Sequence, residues 1–137
     1  MTTQQEIIAE LGVRPEFDAA TEAERRIAFL ADYLRTSGTK GYVLGLSGGV
    51  DSTTCGRLAQ LACERVRESG GEASFLAMRL PYGVQADEAD AAAAVEFVGA
   101  DETITVNIKA ATDAMFAEVD GAGIDFTSID RADFVKG

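Results

Sequence analysis

The sequence predicts an α/β fold with a doubly wound parallel sheet. Two observations carry that prediction. Short apolar runs at 41–46, 73–80 and 102–108 alternate with longer stretches of helical periodicity, and Gly or Pro punctuates most of the junctions. The order is helix, helix, then strand–helix three times. Strands alternating with helices imply a parallel sheet covered on both faces.

Each element has its own signal. Residues 3–11 (TQQEIIAEL) read as a short helix ended by Gly12 and Pro15. Asp18 or Thr21 caps a second helix, with Glu24 completing a capping box from Thr21. In that helix Ala23, Ile27, Leu30, Ala31 and Leu34 recur at helical spacing. Phe29 and Tyr33 form a second apolar stripe, and the helix stops near Ser37-Gly38. Residues 41–46 (GYVLGL) read as a buried strand. Cys55, Leu58, Ala59, Ala62 and Val66 mark a third helix, closed by Ser69-Gly70-Gly71. The second strand, 73–80 (ASFLAMRL), is broken by Pro81 and Gly83. Asp87 caps an alanine-rich helix through about Val98. A third strand, 102–108 (ETITVNI), leads into a helix over 109–119. The chain thus divides into a helical segment 1–38, strand–helix repeats over 41–119 and an acidic tail 120–137.

Composition narrows the function classes. With 137 residues the chain is the size of one domain and buries a core without staples. The net charge of −11 argues against a broad nucleic-acid surface. The lack of histidine excludes a His-based triad or His metal site. No apolar run is long enough to cross a bilayer, and the polar, acidic N-terminus does not read as a secretory signal, so a cytoplasmic location is expected. Cys55 and Cys63 fall on one helix, roughly 12 Å apart, too far for a disulfide. Both are expected as reduced thiols in apolar company.

The chemistry is carried by Gly45-Leu46-Ser47-Gly48-Gly49-Val50-Asp51-Ser52, between a strand and a helix. Gly48 and Gly49 let the backbone turn tightly and aim its N–H groups inward. The following helix adds unpaired N–H groups and the positive end of its dipole. Ser47 and Ser52 add hydroxyl donors, which makes a nest for phosphate oxygens. Asp51 would repel a phosphate directly, so its expected role is to hold Mg²⁺. The segment is not a Walker A loop, because it has no lysine. In parallel sheets ligands bind beyond the carboxyl ends of strands, which places Ser47 and Arg79 on one rim.

The six residues SGGVDS resemble the signature of the ATP pyrophosphatase superfamily, whose fold is Rossmann-like. Its members cleave ATP between the α and β phosphates and adenylate an acceptor. The segments RLPYGVQADE (79–88) and ITVNIK (104–109), and the ending DFVKG, resemble ammonia-dependent NAD synthetase in particular. That resemblance implies conversion of deamido-NAD and ammonia to NAD, AMP and pyrophosphate by a Mg²⁺-dependent, homodimeric ligase. It implies that Gly45 through Ser52 grip the ATP phosphates, with Asp51 on Mg²⁺. Arg79 and Gln85 match positions that contact the nucleoside of ATP. Tyr33 and Phe134 match aromatic positions that, in the family dimer, hold the nicotinate end of deamido-NAD. No catalytic side chain is assigned, and ammonia needs none.

The resemblance covers only the N-terminal half of such an enzyme. Residues 1–137 are therefore expected to be part of a truncated sheet and to be inactive alone, with an open edge and uncovered apolar surface that favour association. The alternatives are a non-catalytic nucleotide-binding or assembly fragment, or another ATP pyrophosphatase with a different acceptor.

Overall fold

The computed structural model describes residues 2–14, 16–84 and 88–123. In chain order these form α1 (Thr3–Glu10), α2 (Ala19–Ser37), β1 (Gly41–Gly45), α3 (Val50–Glu68), β2 (Ser74–Arg79), α4 (Glu88–Val98), β3 (Glu102–Thr105) and α5 (Lys109–Gly121). The three strands form one parallel sheet in the order β1-β2-β3, with Tyr42 opposite Phe75 and Met78 opposite Ile104. The α/β parallel sheet expected from the sequence is therefore present.

Local chemistry fixes the helix ends. Asp18 accepts the Thr21 N–H at 2.7 Å, so Asp18 caps α2, not Thr21. Glu24 is then free to reach α3, where it takes two hydrogen bonds from Arg65 at 2.7 and 2.8 Å. Gly38, at φ +70°, ends α2 in the left-handed conformation that glycine adopts without strain. β3 stops at Thr105, short of the 108 expected: Val106 and Ile108 still donate to Arg79 and Pro81 C=O, but Pro81 has no N–H to return a bond.

The core lies on one face of the sheet. Phe75 and Ala77 of β2 are fully buried, and Tyr42 and Leu44 of β1 pack beside them. Over them lie Ile27, Ala31 and Leu34 of α2, Ala59, Ala62, Cys63 and Val66 of α3, and Val98 of α4. Gly56 lets α3 come close: a Cβ there would stand 3.1 Å from Leu46 and 3.2 Å from Val98. Val43 points to the other face and is 63% exposed. Among the described residues, α2, α3 and α4 all serve the first face.

Two apolar expectations change. Cys55 is exposed, and only Cys63 is buried, where burial pushes its thiol up from the ordinary range. The inward face of α3 runs through Gly56, Ala59, Gln60, Ala62, Cys63 and Val66, with Leu58 half-buried beside it, so of the face expected only Cys55 turns outward. Phe29 and Tyr33 are 66% and 54% exposed, with ring centroids 6.4 Å apart, and do not join the core.

The amino ends of β2 and β3 are tied by a polar network. Asp101 accepts from Gln60, from both terminal nitrogens of Arg67 and from the Phe75 N–H, at 2.8 to 3.1 Å. Burial opposes the charge on Asp101, but these donors outweigh it and hold the carboxyl below the usual range. Gln60 is buried and also bonds the Asp101 N–H, so the network leaves its amide satisfied.

Candidate nucleotide-binding site

The carboxyl ends of the strands form the opposite rim. The Leu46 N–H bonds Met78 C=O at 2.8 Å and keeps β1 in register to its last residue. The chain then leaves the sheet through Ser47, Gly48 and Gly49, and α3 begins at Val50. Gly48 sits at φ +87°, where a Cβ would also stand 3.2 Å from the Ala91 backbone of α4. Only glycine combines that conformation with that approach.

The loop is folded on itself by its own hydroxyls. Ser47 and Ser52 hydroxyls lie 3.0 Å apart, the Ser47 N–H donates to Ser52 Oγ at 3.2 Å, and the Gly49 N–H donates to Ser47 Oγ at 3.3 Å. Gly49 is the helix cap and brings no side chain to it. The amides of Val50, Asp51 and Ser52 open the helix and have no intrahelical acceptor. They lie at the positive pole of the helix dipole, an arrangement that suits an anion with oxygen acceptors. Asp51 is exposed in that first turn.

Arg79 closes β2 on the same rim. Its guanidinium makes a bidentate pair with Glu88 at the start of α4, at 2.8 and 2.7 Å. Arg79 holds the Glu88 carboxyl below the usual range. The sequence placed Arg79 on the rim but gave it no partner. Glu88 stood in the quoted segment, nine residues on, and the fold makes that spacing a contact.

A family model described as NAD synthase matches residues 22–133. This chain belongs to the NAD synthase family. It is 60% identical over 131 residues to the NH(3)-dependent NAD(+) synthetase of Burkholderia mallei (strain SAVP1), covering 96% of this chain and 46% of that protein. It is 57% identical over 134 residues to the enzyme of the same name from Paraburkholderia phytofirmans, covering 98% and 47%. A crystal structure of NAD+ synthetase from Burkholderia pseudomallei superposes with a TM-score of 0.83 at 60% identity, covering 95% of this chain and 56% of that one. NMN synthetase from Francisella tularensis is more distant, with a TM-score of 0.61 at 26% identity, covering 77% and 41%. The chain spans about half the length of the curated relatives it matches.

Tyr33 lies near the carboxyl end of α2. There Arg35 bonds Ser69, just past the far end of α3. Since α3 has 19 residues, about 28 Å at 1.5 Å per residue, one chain does not bring Tyr33 to the loop at 47–52. Gln85 and Phe134 lie outside the described residues. Among the described residues no group of three or more His, Cys, Asp or Glu could hold a metal ion, and no helix is long and apolar enough to cross a membrane.

Proposed function

We propose that this chain is the N-terminal, ATP-binding part of a single NAD synthetase domain, which in the full-length protein converts deamido-NAD and ammonia to NAD, AMP and pyrophosphate. The observation that carries the reading is the SGGVDS loop at the carboxyl end of β1, with its free amides at the start of α3. The acceptor follows from likeness: identity is 60% to NH(3)-dependent NAD(+) synthetase and 26% to an NMN synthetase.

The chemistry balances without a nucleophilic side chain. A nicotinate carboxylate oxygen attacks the α-phosphorus, and the bond to the αβ-bridging oxygen breaks. The departing pyrophosphate gains charge as it leaves, and the amides of Val50, Asp51 and Ser52 meet that charge with fixed dipoles. Ammonia then adds to the acyl carbon, a proton is lost, and AMP leaves with the former carboxylate oxygen. Bound Mg²⁺ would neutralise phosphate charge. Such ions are held by one or two carboxylates together with the phosphates themselves, and Asp51 supplies one in place. Gln85 joins Arg79 at the nucleoside. Tyr33 and Phe134 complete the nicotinate pocket across a homodimer. The location is cytoplasmic.

Full-length protein should release one AMP and one pyrophosphate per NAD formed, and residues 1–137 alone should form no NAD. Pyrophosphate release that ignores deamido-NAD would point instead to another acceptor, and NAD formation by residues 1–137 would show that these residues suffice. Arg79→Ala should raise the KM for Mg·ATP about tenfold and leave kcat nearly unchanged, because its contact is uniform along the reaction. Steady-state kinetics decides this: a fall in kcat at constant KM would move Arg79 onto the phosphates.

A further inference from the structure

The end of β2 and the segment after it are fastened to the segment after β3 at Arg79, Pro81 and Gly83. The Val106 N–H bonds Arg79 C=O at 2.8 Å, and the Ile108 N–H bonds Pro81 C=O at 2.9 Å. Where backbone pairing ends, the Asn107 side chain takes over. Its Oδ1 accepts from the Gly83 N–H at 3.2 Å and from the Lys109 N–H at 3.0 Å, and its Nδ2 donates to Gly83 C=O at 3.3 Å. The amide serves both needs at once, its oxygen accepting two of the bonds and its nitrogen donating the third. Gly83 sits at φ +71°, so the turn it makes is one that few other residues would hold.

A second strut stands beside the first. The Tyr82 hydroxyl donates to Asp113 of α5, and Lys109 Nζ lies 2.6 Å from Asp113, 3.2 Å from the Tyr82 oxygen and 4.6 Å above the Tyr82 ring centre. Both struts hold the chain that begins at Arg79.

We infer that Asn107 is a positioning residue for nucleotide recognition, holding the segment from Arg79 to Gly83 in its ATP-receiving shape before ATP arrives. The inference rests on the reading of Arg79 as a nucleoside contact. Ordering a loop on binding draws on binding energy, so a loop already ordered binds more tightly. Because the nucleoside is remote from the bond that breaks, the gain appears in KM and not in kcat.

The test is equilibrium binding of Mg·ATP and steady-state kinetics on the full-length protein, with hydrogen exchange at the Gly83 amide. Asn107→Ala should speed Gly83 exchange and raise both the Kd and the KM for Mg·ATP about tenfold, with kcat within about twofold of the wild type. Asn107→Asp keeps the two accepting bonds and should recover most of the affinity, by a route that general destabilisation does not offer. If Asn107→Ala does not fold, Asn107→Asp decides alone, with a KM raised about threefold for the one lost bond. Wild-type binding of Mg·ATP with unchanged Kd and KM in the folded variants would overturn the inference and leave the functional reading standing. An equal loss in kcat would overturn it too. Absence of Mg·ATP binding by the wild type would overturn both.

Discussion

Asp51→Ala in the full-length protein should lower AMP-forming turnover at least a hundredfold at saturating Mg·ATP, about 2.7 kcal/mol of transition-state stabilisation. The fold should survive. Asp51 is exposed in the first turn of α3, and its structural contribution there is its favourable position at the helix dipole. That is worth at most about 1 kcal/mol at an exposed site. Thermal unfolding and turnover should therefore separate: a small shift in Tm beside a large loss of rate. Near-normal turnover would remove Asp51 from the metal and leave it a helix-stabilising carboxylate.

Gly41→Ala should have the largest effect on folding. Gly41 opens β1 at φ +154°, and a Cβ there would stand 1.9 Å from the Ser74 carbonyl oxygen, its parallel partner on β2. The obstructing atom is backbone, held in place because the Ser74 N–H bonds Lys40 C=O at 3.1 Å. Nothing flexible can yield, so β1 must shift against β2. A loss of at least about 4 kcal/mol is expected, which is in the range where a marginally stable domain no longer folds. Denaturant unfolding of the variant would check it. A loss under about 1 kcal/mol would mean that β1 opens without strain at this position.

The two outcomes differ in how readily the sequence foretold them. The strand–loop–helix turn at 45–52 was legible because its determinants are contiguous: an apolar strand, two glycines, two serines and a helix start lie within eight residues. Helix and strand order was legible for the same reason, since periodicity is local. What escaped was set by contacts distant in sequence. Gln60 and Asp101 are 41 residues apart, and nothing local marks either as part of one buried network. Asn107 looked like part of a strand because Val106 and Ile108 flank it, but its side chain answers to Gly83, 24 residues away. Cys55 looked buried because it is apolar and in helical register with apolar neighbours. The next residue, Gly56, faces the core instead, so close to Leu46 and Val98 that a Cβ there would crowd them. Arg79 was placed correctly on the rim, but its ion pair with Glu88 depends on how the loop returns to α4.

Whether the loop after β1 serves an adenylating, pyrophosphate-releasing reaction on the nicotinate carboxylate is tested most directly with deamido-NAD carrying ¹⁸O in that carboxylate, with Mg·ATP, ammonia and the full-length protein. Attack by the carboxylate on the α-phosphorus predicts one ¹⁸O atom in the phosphate of each AMP released and none in pyrophosphate. Label in inorganic phosphate accompanied by ADP, or AMP free of label, would contradict it.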